Sequence, residues 1–199
     1  MDTVVLANLN NSFSDMLFKS TTHPSMLTYL DNIWSSGENS AEAKDARENN
    51  FQAGLNDNLG RELLELHSVS PSAKYTEKDI RNAANVLAGW GIELKRTDEW
   101  MRSQGADTSN YANLFKKRWA EPGVKNVMGK VINQGKGGLR ELTDFLASHD
   151  HTIKHLSTKL AQHFVSDNPS SSDITYIENA WRKGNGDLDK IHTAVIERA

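Results

Sequence analysis

The C-terminal third of the chain repeats one pattern, apolar side chains at steps of three and four. Ile153, Leu156, Leu160 and Phe164 recur in TIKHLSTKLAQHFVSD. Ile174, Ile177 and Trp181 recur in SSSDITYIENAWRKG, and Leu188, Ile191 and Val195 in GDLDKIHTAVIERA. With about 3.6 residues per turn, such spacing places every apolar group on one face of a helix. Asn168-Pro169 and Gly184-Asn185-Gly186 interrupt the pattern where turns are needed. Helices with one apolar stripe must bury it against other elements, so this third demands helix-on-helix packing.

The same spacing extends upstream. LRELTDFLASH sets Leu139, Leu142 and Leu146 on one side. SFSDMLFKSTT carries Phe13, Met16 and Leu17, and HPSMLTYLDNIW carries Met26, Leu27, Leu30 and Ile33 behind Pro24, a residue suited to a first helical position. In YTEKDIRNAANVLAGWG, Thr76 and Asp79 resemble a capping box, Ile80, Ala83, Ala84 and Leu87 form an inner stripe, and Gly89 and Gly91 can end the helix. No segment alternates as a half-buried strand does. The expected class is all-α, an irregular multi-helix bundle with long loops, in a single domain over 1–199.

Two stretches lack this periodicity. Residues 35–50 contain no large apolar side chain, which reads as a polar loop or an exposed helix. Residues 92–136 hold Trp100, Tyr111, Phe115 and Trp119 without a lasting period, and Gly123, Gly129, Gly135, Gly137 and Gly138 suggest an irregular connection.

Charge and composition narrow the function classes. A formal net charge of −3 does not suit a general nucleic-acid binder, and the short run Lys116, Lys117, Arg118 reads as a solvated face. The absence of cysteine excludes disulfides, thiolate catalysis and zinc–thiolate sites. No run approaches the ~18 apolar residues of a membrane span, and MDTVVLANLNNSF does not have the pattern of a signal peptide. As it stands, the sequence reads as cytoplasmic. It names no cofactor.

The most informative polar pattern lies in NDNLGRELLELHSVS. At 100° per residue, Asn58, Arg61, Glu62 and Glu65 fall within about 100° of arc. Leu55, Leu59, Leu63 and Leu66 lie on one flank and Leu64 on the other, with His67 nearly opposite the stripe. One reading is a surface helix on which Arg61 pairs with Glu65 or Asp57. The other is an inward-facing site. There Glu62 or Glu65 would act as general acid or base, His67 as a second proton carrier, and Arg61 or Lys125 as an anion clamp. Asp31, Glu62, Glu65 and His67 could hold a metal only if they converge. His149, His151, His155 and His163 form a further group. His151 and His155 have the i,i+4 spacing of a metal pair, but there is no HExxH arrangement, and Lys159 continues that face. No metal ligand is assigned.

These residues carry a resemblance. NDNLGRELLELHSV followed by YTEKDIRNAANVLAGW is similar to the signature of the bacterial domain of unknown function 1800 family. SMLTYLDN, EPGVKNVMGKVI and LTDFLASHDHTIKHLSTKLAQHFVSDNP resemble three further blocks of that family in the same order. The resemblance implies a mostly helical fold and a chain that corresponds to the middle portion of a longer domain. Many family members resemble exported bacterial proteins. The matched polar positions are Asp31, Asn32, Asn56, Asn58, Arg61, Glu62, Glu65, His67, Lys125, His149 and Lys159. Asp57 stands where the family favours Glu, and Ala120 stands where it usually has His.

The expectation is therefore a helical module that binds or assembles with a protein partner, or with itself. Trp34, Trp90, Trp100, Trp119 and Trp181 supply aromatic surface for either a core or an interface. The alternative is a hydrolase-like enzyme with Glu62, Glu65, His67 and Arg61 as catalytic groups. Asp31, Asn32, Asn56, Asn58, Lys125, His149 and Lys159 would then be binding residues.

Overall fold

Helix starts follow the capping chemistry written in the chain. Thr76 Oγ1 accepts from the Asp79 N–H at 3.2 Å, while the Asp79 carboxylate accepts from the Thr76 N–H at 2.8 Å. This box opens the helix Glu77–Leu87. Ser170 and Asp173 form a second box at the start of Ser171–Gly184. Each box satisfies two N–H groups that the first turn of a helix leaves without partners. Two helices start on histidine instead. His23 Nδ1 accepts from the Ser25 N–H, and His149 Nδ1 from the His151 N–H.

The computed structural model describes residues 2–92 and 113–199. Trp100 and Tyr111 lie outside the described residues. Ten α-helices appear among those described. They are α1 (Asp2–Ala7), α2 (Phe13–Thr21), α3 (Pro24–Tyr29), α4 (Ala41–Asn49) and α5 (Asn58–Glu65). After them come α6 (Glu77–Leu87), α7 (Gly138–Ser148), α8 (Asp150–Phe164), α9 (Ser171–Gly184) and α10 (Leu188–Ile196). Short 3-10 turns occupy Asn32–Trp34 and Pro71–Ala73.

The fold is predominantly helical but not purely so, which corrects the all-α expectation. Strands β1 (Trp90–Ile92) and β2 (Asn113–Phe115) pair antiparallel, with Trp90 opposite Phe115. Strands β3 (Lys125–Val127) and β4 (Lys130–Ile132) form a tight hairpin. Each strand is three residues long, too short to display alternation. Met128 (φ 50°) and Gly129 (φ 83°) make the hairpin turn, with both central residues in the left-handed region. Asn or Asp normally marks such a turn. Here Met128 takes the place, and its N–H donates to Asp79 Oδ1 at 2.7 Å.

The polar stretch 35–50 contains α4. Ser40 caps it by accepting from the Ala43 N–H, and Ala43 and Ala46 are buried. Alanines bury a narrow face without any large apolar residue, which is why no apolar stripe marks this helix.

The chain divides into two compact units. The first holds Met1–Lys19, Leu64–Lys74 and Thr143–Ala199. Its core is built by α8, α9 and α10, where Ile153, Ala161, Ile177, Trp181, Leu188, Ile191 and Val195 cluster with Phe13 and Met16 against them. Trp181 stands edge-on to Phe13 at 5.0 Å, and its Nε1 donates to the Ala147 carbonyl at 3.3 Å. Full burial of an Ile or Leu side chain contributes about 1.5–3 kcal/mol, so each such residue of this cluster adds to the stability of the unit on that scale. Phe164 keeps the helical spacing but is exposed.

The second unit holds Ser20–Leu63 and Tyr75–Leu142. Leu59, Leu63, Ile80, Leu87, Ile132, Leu139 and Leu142 are fully buried there. Strand β3 packs on α6, and the Asn82 side-chain amide donates to the Asn126 carbonyl at 2.6 Å.

Candidate functional site

The signature helix α5 presents Leu59, Gly60, Leu63 and Leu64 as its buried face. Leu66, expected on the leucine flank, is exposed. Asn58 is exposed, and Arg61, Glu62, Glu65 and His67 are half-buried. The polar stripe thus runs along the rim of the helix, between core and solvent.

Arg61 has a planar fork of donors, and two carboxylates use it. Its Nη1 and Nη2 donate to Glu77 Oε1 and Oε2 at 3.1 and 2.9 Å, and its Nη2 lies 3.5 Å from Asp57 Oδ2. The Glu77 carboxyl sits below the usual value because of the Arg61 hydrogen bond. The pairing predicted between Arg61 and Asp57 is present, and the stronger partner is Glu77 at the start of α6, which sequence spacing on one helix does not reveal. A bidentate pair fixes orientation as well as charge. It ties the signature helix to α6 through its most basic side chain.

Asn32, Asn56 and Lys125, three further matched residues of the second unit, also bond within it. Asn32 is buried. Its Nδ2 donates to the carbonyls of Trp90 at 2.8 Å and Leu87 at 3.3 Å, tying the 3-10 turn to the end of α6 and to β1. Its Oδ1 has no hydrogen-bond partner among the described residues. Asp31 beside it is exposed and left-handed, at φ 56°. The Asn56 side-chain oxygen accepts from the Asn58 N–H at 2.9 Å, turning the chain into α5, while its backbone exchanges hydrogen bonds with the Ser35 hydroxyl.

Lys125 is buried, and its ammonium donates to the carbonyls of Glu121 at 2.5 Å, Gly123 at 2.6 Å and Pro122 at 3.5 Å. Burial pushes its pKa down, and the Glu121 carboxylate acts in the opposite direction. The side chain closes the EPG turn from within. Glu121 in turn accepts from the Asn39 N–H at 2.9 Å and the Asn39 amide at 2.7 Å. Gly37 lies against the Glu121 backbone, where an added Cβ would stand 2.5 Å from its Cα. Residues Gly37, Asn39 and Glu121 therefore form a tie that sequence reasoning missed. The one available signal was glycine in an otherwise polar stretch.

Glu65, His67, His149 and Lys159 belong to the first unit. Lys159 is exposed on α8. His149 caps that helix, with its ring edge-on to Phe145 at 5.4 Å. Burial lowers its pKa, the neighbouring His151 lowers it further, and Asp150 opposes them. His151 Nδ1 lies 3.4 Å from the Ser72 hydroxyl. Among the described residues, no group of three or more His, Asp or Glu side chains is placed to hold a metal ion.

Of the tryptophans, Trp90 and Trp181 are core, Trp119 is half-buried under the Lys116 ammonium, and Trp34 is 67% exposed. No helix among the described residues is long and apolar enough to cross a membrane.

No protein with a curated description and no solved structure matches the chain. The family model described as Protein of unknown function (DUF1800) matches residues 2–199, and the chain belongs to that family.

Proposed function

We propose that the chain is a helical binding or assembly module for a protein partner. The observation that carries this reading is the contrast between Trp34 and the residues beside it. Its indole is 67% exposed, yet Asn32 and Ser35 on either side are buried and hydrogen-bonded to fixed backbone. An exposed aromatic on a fixed base loses little conformational freedom when a partner covers it. Tryptophan and tyrosine are the side chains most enriched among residues that dominate interface energies. Tyr29, 81% exposed at the end of α3, and Phe51 beyond α4 belong to the same unit. Ser35 pairs with Gly54, three residues past Phe51.

The polar residues support the same reading from the other side. A hydrolase needs its cationic clamp free for substrate, whereas Arg61 is engaged by Glu77 and Lys125 by three carbonyls. Their bonds brace α5, α6 and the EPG turn.

The test compares two double variants by the mass of the complex that the chain forms in native cell extract. Trp34→Ser with Tyr29→Ser is expected to return the chain to its monomer mass. Glu62→Gln with Glu65→Gln is expected to leave the complex intact. Loss of the complex only in the glutamine variant would overturn the reading. A complex containing only copies of this chain identifies the partner as self.

A further inference from the structure

Helix α7 ends at Ser148 and α8 begins at Asp150, so His149 alone makes the corner between them. Its N–H donates to the Leu146 carbonyl at 3.2 Å, closing α7. Its carbonyl accepts from the Ile153 N–H at 3.1 Å, opening α8. The imidazole serves both helices as well. Nδ1 accepts from the His151 N–H at 3.2 Å, and the ring stands edge-on to Phe145 of α7.

A ring nitrogen accepts only when it carries no proton. The corner therefore fits neutral imidazole with its hydrogen on Nε2. A proton on Nδ1 would aim one N–H at another. It would also place a positive charge at the N-terminal end of a 15-residue helix, where the backbone dipole is already positive.

Among the described residues, His151 and Asp150 are the ionisable groups that act on the ring. His151, a second imidazole, has its ring 5.6 Å away, and Asp150 follows directly in the chain. The Asp150 carboxylate is engaged by Arg182 of α9, which draws off much of the countercharge that would favour an imidazolium. Further along α8, burial and the nearby Lys159 also lower the pKa of His155.

We propose that His149 is an acid-sensitive joint, whose neutral imidazole fixes the α7–α8 corner and whose protonation releases the first turn of α8. The neighbouring helix provides contrast. Ser170 with Asp173 caps α9, and the Ser170 and Arg198 hydrogen bonds hold the Asp173 carboxyl below its ordinary value, far from the imidazole range. Acidification through that range thus acts on the start of α8 and not on the start of α9.

The sign follows from the burial of the ring. The folded chain holds His149 below the ordinary imidazole value, so the unfolded chain binds the proton first as the pH falls. The stabilisation is complete above pH ~6.5 and is lost as the pH drops toward the folded-state value.

The experiment is amide hydrogen exchange of the whole chain from pH 7.5 to 5, corrected for the intrinsic pH dependence of exchange. An N-cap typically changes the local equilibrium about twofold to thirtyfold, so protection at His151 and Ile153 is expected to fall about tenfold, while the Asp173 amide holds. His149→Asn supplies a cap that does not titrate, and in that variant protection at both amides is expected to stay level across the range. Two results would overturn the proposal. One is level protection in the unaltered chain, and the other is the same tenfold fall in His149→Asn.

Discussion

Gly60 of the signature helix lies against the backbone of Ala84 in α6. A Cβ added to Gly60 would stand 2.7 Å from the Ala84 nitrogen and 3.0 Å from its Cα. The glycine in NDNLGREL is therefore a contact surface. It lets α5 approach α6 closely enough for Arg61 to reach Glu77.

Gly60→Ala separates this contact from helix propensity. Propensity alone favours alanine by about 1 kcal/mol inside a helix. The close approach predicts the reverse, a loss of about 1–3 kcal/mol, because the backbone of α6 must move to admit the methyl group. Urea unfolding of the two chains reads the sign directly.

Asp79 joins the cap of α6 to the β3–β4 turn. One carboxylate accepts from the Thr76 N–H and hydroxyl and from the Met128 N–H. Asp79→Ala is expected to lower stability by about 2 kcal/mol, combining a lost cap with a lost charged hydrogen bond. Burial opposes ionisation of this carboxyl, but the Thr76 and Met128 bonds outweigh it, and its pKa lies below the ordinary 3.8. The unfolded chain therefore takes up the proton first. The contribution is present above pH ~3.8 and is lost as the pH falls through the lower folded-state value. Acid titrations of the unaltered chain and Asp79→Ala should converge at the acid end.

Lys125→Met keeps the buried stem and removes the ammonium. The carbonyls of Glu121, Pro122 and Gly123 then lose their common donor, at an expected cost of about 1–3 kcal/mol. Differential scanning calorimetry should show a lower Tm. If Lys125 served only as a clamp for a ligand, Tm would stay unchanged.

The helices were legible because their signals are local. Apolar steps of three and four marked α8, α9 and α10, and Thr76 with Asp79 marked the start of α6. Phe164 and Leu66 fit the same steps but are exposed, because periodicity describes a face and does not say how far the partner surface extends. The strands were illegible for a different reason. The β3–β4 turn uses Met128 at a left-handed position, and the Asp79 carboxylate that holds its N–H lies 49 residues away in sequence. The polar stripe could be read as a stripe, but not as a tie. Glu77 lies 16 residues beyond Arg61, on another helix, so no spacing rule joins them.

The binding reading places the contact at Trp34. The most direct test puts a photo-cross-linking amino acid at position 34 of the full chain in its native cells, with a second chain carrying it at exposed position 159 as control. One discrete adduct from position 34, absent from position 159, is the predicted result. The same adducts from both positions, or an adduct from position 159 alone, would contradict the assignment of the interface to Trp34.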